Sequence, residues 1–536
     1  MKAINKILPA GLVVMSLAAC NDLDTEMYGA YATGEQKKEL VDQYPEKLVA
    51  AVSGISASAT QYASIWPEEE NVQNDYGMPS LMLALDNRGM DMFSVNSGYN
   101  WYMQQNSMSD AVTTSDLSLM AWTYPYQIIN ASNTLMATTG EENDDPEMKF
   151  FIAQARGERA AAYMTLAQIF QFTYLGHESS PCVPIVTSLN MEQIALDGGN
   201  PRASVADVYA LIMEDLDVTI NYLTTCELPS SIGSSKIKRY ISVATAYGLR
   251  ARANLLMGKW AEAAQDAQSA ISNFDGAPAS IQEVSAPSFW SIEQNCWMWG
   301  FAVNETDRPV TTGICNWPSY MGSFSYGYAS LTPAKRFVSK TLFDQIPDTD
   351  VRKGWFLDGT GSSSTLTGDW AAYANAMLEP YTQVKFAPYQ NEIGTSVNAN
   401  DIVRMRIEEM YLIKAEAQAM AGSPTTGAQT LTDFVQTYRD PSYVCTATTI
   451  EDVRDAVWFQ RRVELWGEGL SYFDIMRLKK GIDRRGGGWP ESWVYNVPAE
   501  SSVMLLPIPN DEIQANKYIS ESDNNPNSPH PPVVSE

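Results

Sequence analysis

Two histidines, a minority of basic side chains and no paired cysteine motif mark this chain of 536 residues, and each shortage closes off a chemistry. A histidine-based zinc centre or a serine–histidine–aspartate triad would have to be built on His177 in "LGHESSP", where no cysteine or carboxylate spacing supports it. The other histidine, His530, lies close to the C-terminus. Lysine and arginine total 36 against 63 aspartates and glutamates, a formal charge of -27. A field of that sign repels nucleic-acid phosphates and anionic headgroups. Of six cysteines, Cys20 stands apart. The others, at 182, 226, 296, 315 and 445, form no CxxC pair and are odd in number, so they read as small buried hydrophobes, with a Cys296–Cys315 bridge left open. There is no P-loop and no Gly-x-Gly-x-x-Gly after a strand. No cofactor is implied; the acidic run "EENDDPE" at 141–147 does not match an EF-hand loop but leaves a structural calcium ion open.

Long apolar runs are absent too: nothing after the first twenty residues reaches the roughly 20 apolar residues of a membrane helix. The N-terminus has a different character. Lys2 and Lys6 precede the apolar run Ile7 to Ala19, which suits a secretory signal and ends in "LAAC". Leu17, Ala18 and Ala19 before Cys20 resemble the lipobox of bacterial lipoproteins, which implies removal of residues 1–19 and acylation of Cys20. The acidic stretch Asp22, Asp24 and Glu26 that follows, in a linker over 20–35, resembles a surface-export signal of outer-membrane lipoproteins and implies exposure to the cell exterior.

Helical periodicity dominates what remains. Amphipathic runs predict helices over 36–64, 116–136, 147–172, 205–223, 242–257, 261–272, 333–345, 402–421 and 450–478. The clearest hairpin is "AYGLRARANLLMGKWAEAAQDAQSAI": Gly258 ends one helix, and Ala263, Ala267 and Ala270 line the next at spacings that permit close approach. It resembles a tetratricopeptide repeat, with weaker copies around Tyr163 and Tyr411. The expected architecture is mainly α, one domain over 36–515, with a helical-hairpin scaffold at about 36–65, 113–275 and 402–480. Loop-rich segments at about 66–112 and 276–400 interrupt it, and residues 516–536 read as an exposed tail.

Near the C-terminus "RRVELWGEGLSYFDIMRLKK" sets Arg461, Arg462, Glu464, Glu468, Asp474 and Arg477 close together. Glu464 and Glu468 could form a glycosidase acid–base pair, but that pair must flank an open cleft. Among arginines their pKa values fall, which suits an ion-pair network with Arg461 bound to Glu464 and spoils a general acid. The same stretch resembles the C-terminal signature of the SusD/RagB family through Arg462, Glu464, Leu465, Glu468, Gly469, Asp474 and Arg477, with Ser471 where many members carry arginine. "VRMRIEEMYLIKAEAQA", "NPRASVADVYALIMEDLDVTINYL" and "LLPIPNDEIQAN" are similar to other family segments in the same order. The resemblance implies a lipid-anchored outer-membrane protein that is not an enzyme. It would capture an oligosaccharide, or alternatively a peptide or glycopeptide, and pass it to a SusC-like TonB-dependent transporter.

Aromatic content agrees with a sugar ligand. From Phe289 to Tyr328 a quarter of the residues are aromatic, against 11% overall, and flat rings beside amides and carboxylates suit the C–H faces and hydroxyls of sugars. Trp317, Tyr320 and Tyr326 are the candidates there. In "NRGMDMFSVNSGYNWY" they are Arg88, Asp91, Asn100, Trp101 and Tyr102. The competing reading is that most of these rings are core.

Overall fold

The computed structural model describes residues 46–66 and 72–536. Its scaffold helices are α1 (Glu46–Ser58), α2 (Met78–Arg88), α3 (Asp116–Thr139), α4 (Pro146–Phe170), α5 (Val205–Leu223) and α6 (Val243–Leu256). They continue with α7 (Trp260–Ser272), α8 (Ile407–Met420), α9 (Pro424–Tyr438), α10 (Ile450–Glu464) and α11 (Ser471–Arg477). From α3 to α9 each helix packs on the next, while α1 lies on α3 and α10 on α8. This is the mainly α array of stacked hairpins that the periodicity predicts. Helices α7 and α8 are neighbours although residues 273–406 lie between them, so the loop-rich segment leaves the array and returns to it. Two antiparallel strands tie its neck: β1 (Trp297–Phe301) pairs with β2 (Ile402–Arg406), Trp297 opposite Arg406 and Phe301 opposite Ile402.

Local chemistry sets the helix ends. Ser115 caps α3 by accepting from the Ser118 N–H, Asp145 caps α4 ahead of Pro146, and Ser204 forms a capping box with Asp207 on α5. Between α6 and α7, Gly258 takes a φ of 72°, and a Cβ there would also meet Leu175 Cδ2 at 2.9 Å. Ala263, Ala267 and Ala270 are fully buried, and their small size lets α7 lie close to α6 and α8. On α4, Arg159 grips Asp215 of α5 with two bonds of 2.8 Å, a buried pair that the periodicity did not reveal.

Several expected spans differ. The predicted helix over 333–345 is mostly extended: Phe337–Val338 pairs with Met92–Phe93, and only Lys340–Phe343 is helical. The run 402–421 divides into β2 and α8, since Ile402 to Arg406 find a ladder partner in β1. The run 450–478 breaks, as the sequence suggests near Gly469, between α10 and α11, where Gly467 and Gly469 adopt φ values of 78° and 77°. Helix α2 sits in a segment expected to be irregular; it is buried nearly all round, so no polar stripe betrays it. The closing residues do not hang free. Asn525 donates to the Phe170 and Leu506 carbonyls at 2.8 and 2.9 Å, and the Ser528 N–H bonds the Ala111 carbonyl at 2.8 Å. Among the described residues the cysteines at 182, 226, 296, 315 and 445 are unpaired, so the Cys296–Cys315 bridge does not form. The signal, Cys20 and the linker lie outside the described residues.

Candidate functional site

The C-terminal charges come first because they decide between catalysis and support. The turn after α10 re-aims Glu468 inward, beside Glu464 and against Arg406 at the end of β2. Glu464 receives Arg439 at 2.7 and 2.8 Å, Arg406 at 3.0 Å and Arg352 at 3.2 Å. Glu468 receives Lys385 at 2.6 Å and Arg406 at 2.7 and 3.1 Å. Burial alone would raise both carboxyl pKa values; the surrounding cations override it and hold Glu464 well below, and Glu468 below, the usual range. Neither can store a proton for a leaving group at neutral pH, so the glycosidase reading fails on chemistry. Arg461 does not pair with Glu464 as the helical spacing suggests. It bonds Asp474 at 2.7 Å and approaches Glu409 at 3.6 Å, because the bend between α10 and α11 brings Asp474 back over it. Arg477 joins Asp474 at 2.7 Å to Glu416, and Arg462 crosses to Asp91 at 2.5 and 2.9 Å. Ser471, in place of the family's arginine, donates to the same Asp91 at 3.4 Å.

Other buried carboxyls run the other way, Asp86 among them. Burial pushes Asp86 up to about 7, only partly offset by the Gly469 N–H that it accepts at 2.9 Å. A raised acid pKa contributes stability below its unfolded value and loses it as pH climbs through the folded value; the depressed Glu464 and Glu468 lose theirs as pH falls. Asp86→Asn is therefore expected to flatten the decline in melting temperature between about pH 4 and pH 8, while the acid limb stays. Identical profiles for the two proteins over that interval would refute the assignment.

Six of the eight ligand candidates are interior. Arg88 is fully buried, paired with Asp110 and bonded to the Val503 carbonyl at 2.5 Å. Asp91 is held by Arg462, and Asn100 bridges the Val95 carbonyl and the Tyr102 N–H at 3.0 and 3.1 Å. Tyr102 is fully buried with its hydroxyl bonded by Tyr76 and Ser80. Trp317 is 4% exposed and stands edge-on to Phe386, and Tyr320 is sandwiched between Tyr76 and Tyr328 at 5.8 and 4.7 Å. Buried in this way, these side chains are placed to support the surface rings rather than to present a face of their own. Trp101 is half-buried and Tyr326 is 47% exposed, so these two do reach the surface.

Trp101 meets the outer end of an aromatic column. Tyr76, Tyr320 and Tyr328 stack from the core outward, with interplanar angles of 12° and 14°. The Tyr328 hydroxyl bonds Gln73 and also meets Trp101, and Tyr99, close enough to influence Tyr328, is 54% exposed. On the same segment, Arg308 lies over the Tyr62 ring at 5.4 Å. A narrow pocket beside Trp317 is lined by Tyr76, Asp307, Asn398 and Asn400. Asn398 donates to the Gly313 and Tyr326 carbonyls at 2.9 Å and Asn400 to the Ala387 carbonyl at 2.8 Å, leaving both Oδ1 atoms unbonded within the protein. Tyr99, Gln73, Tyr62, Arg308 and the two asparagines were missed in the sequence; the turn-rich neighbourhood "NSGYNW" is the one signal that could have singled out Tyr99. The acidic run 141–147 is committed elsewhere: Glu141 bonds Arg156 at 2.9 Å and Asp145 caps α4. Among the described residues no group of three or more His, Cys, Asp or Glu side chains could hold a metal ion, and no helix is long and apolar enough to cross a membrane.

A helical-repeat scaffold with aromatic side chains presented on inserted loops is the architecture the comparisons must account for. Comparison with known proteins gives the family. A model described as SusD family matches residues 358–527, and one described as starch-binding associating with outer membrane matches residues 37–255; between them they span most of the chain. SusD-like protein P2 of Formosa agariphila is 24% identical over 97% of this chain and 98% of its own length. Among solved structures, a SusD-like carbohydrate binding protein from Bacteroides vulgatus has a TM-score of 0.72 at 22% identity, covering 91% of this chain and 98% of that one. A laminarin binding SusD-like protein has a TM-score of 0.59 at 19% identity, covering 91% and 99%. The chain belongs to the SusD-like family, and its fold is that of the SusD superfamily.

Proposed function

We propose that this protein binds a glycan at the face formed by Trp101, Tyr99 and Tyr326, holds it without cleaving it, and hands it to a SusC-like TonB-dependent transporter. The observation that carries this reading is the aromatic column, whose inner rings are locked by packing while Trp101 and Tyr99, at its outer end near Gln73, keep part of their surface open. Rings fixed before binding lose little entropy when a sugar stacks on them, and the neighbouring Gln73 amide matches hydroxyls. The family's description as starch-binding and outer-membrane associated supports it, as do the carbohydrate-binding and laminarin-binding relatives in structure. In this reading residues 1–19 are the signal, acylated Cys20 anchors the chain in the outer membrane, and the domain faces the cell exterior.

The test is calorimetry of the purified domain with an oligosaccharide panel, followed by product analysis. Binding without turnover is expected, and Trp101→Ala is expected to weaken it at least about tenfold, the scale of losing a central aromatic contact. Released shorter sugars, or heat only from peptides, would overturn the reading. Association with the transporter is tested by co-purification of the two after tagging Cys20-anchored protein in cells.

A further inference from the structure

The loop-rich region builds a second cleft that the proposed glycan face does not use. Trp290 and Trp370, far apart in sequence, line it together with Ser288, Gln294, Asn391 and Glu283, around a volume of about 350 Å³, within the range of small-ligand sites. Both indoles are half-buried, so each keeps some surface open. Each is also held: Trp290 stands edge-on to Tyr389 with centroids 5.6 Å apart, and Trp370 edge-on to Phe324 at 4.8 Å. Gln294 is fixed by donating to the Ser288 hydroxyl at 2.7 Å, and Glu283 by accepting from Ser280. Gln390 and Asn391 both take positive φ, 53° and 61°, an unfavourable pair of backbone conformations for non-glycine residues, and this places Asn391 at the cleft.

Charge narrows the ligand. Among the described residues no basic side chain lines the cleft, Glu283 is the one charged residue that does, and exposed Asp369 and Glu392 adjoin Trp370 and Asn391 in sequence. Uronates and sulfated sugars would meet only repulsion there. Reach matters as well. Asn391 lines this cleft, and Tyr326 of the proposed glycan face donates its N–H to the Thr395 carbonyl only four residues further on, a span of at most about 14 Å. One extended polymer can therefore lie across both.

We propose that the Trp290–Trp370 cleft is a second subsite for an uncharged hexose ring, so that the protein grips one long neutral glycan at two places. This rests on the glycan-binding reading above. The test uses laminarin and soluble starch, their disaccharides laminaribiose and maltose, and oligogalacturonate as an anionic control, in calorimetric titrations of wild type, Trp101→Ala, Trp290→Ala, Trp370→Ala and Asn391→Gly. Joining two weak sites raises avidity by roughly a hundredfold or more, so the polymer affinity is expected to fall at least about tenfold in Trp290→Ala and in Trp370→Ala. The Trp101→Ala protein is expected to keep one disaccharide site, which Trp290→Ala then removes. Asn391→Gly accepts the left-handed backbone and disturbs no packing; its expected loss of several-fold shows that an effect at Trp370 is not local unfolding. Unchanged polymer affinity in these three cleft variants, with Trp101→Ala still impaired, would overturn the second subsite and leave the glycan face standing. No binding of any neutral glycan by the wild type would overturn both, and preference for oligogalacturonate would overturn the selection by charge.

Discussion

Glu464→Gln is expected to lower the unfolding free energy by about 3–5 kcal/mol, the cost of removing one partner from a buried ionic cluster. The amide keeps the shape but not the charge, and three guanidinium groups converge on this one carboxylate from the loop-rich region, from β2 and from the end of α9. Arg406 and Arg439 retain Glu408, at 3.0 and 3.1 Å, but that carboxyl is itself pushed up by burial and cannot neutralise both. The measurement is the guanidinium midpoint followed by fluorescence. An unchanged midpoint would show that the cluster does not carry the junction between scaffold and insert. Glycan affinity per folded molecule should be nearly constant, because no member of the cluster belongs to the exposed aromatic face; loss of binding in a fully folded variant would contradict that separation.

Trp317→Ala is the second large expectation, and it separates support from contact. A buried tryptophan truncated to alanine costs about 3–5 kcal/mol, and Trp317 is 4% exposed with its edge packed on Phe386. Melting temperature should drop clearly, whereas Trp101→Ala, a half-buried surface ring, should cost far less stability and much more affinity. The comparison is made by thermal unfolding and calorimetry on the same two preparations. Reversed roles, with Trp317→Ala stable but unable to bind, would place Trp317 in the ligand's path.

These residues also show how far the sequence can be read. The repeat scaffold was legible because Ala263, Ala267 and Ala270 fall on one helical face and Gly258 punctuates the hairpin, both local signals. Helix α9 was not, since "PTTGAQTLTDFVQTY" is poor in helix formers and its buried stripe at Ala428, Leu431, Thr432 and Val435 depends on α8 lying against it. In the site, aromatic density located the region but not the side of each ring that faces solvent. Tyr102 and Tyr320 look no different in sequence from Tyr99 and Tyr326, and only long-range packing sorts them into pillars and platforms. The charges were legible as pairs without their partners: helical spacing joined Arg461 to Glu464, while the fold turned the chain at Gly467 and gave Arg461 to Asp474.

Because α7 meets α8 directly, the helical stack is closed without any help from the 273–406 excursion. Lengthening a closed loop is cheap, about 0.6 kcal/mol for each doubling, so the outer turns of the excursion can grow with little penalty as long as Arg352, Lys385 and Arg406 still reach Glu464 and Glu468. A chain built this way keeps one chassis and swaps its grip: a new menu of polymers requires rewriting only the outer turns of that segment and the short loop that carries Tyr99 and Trp101.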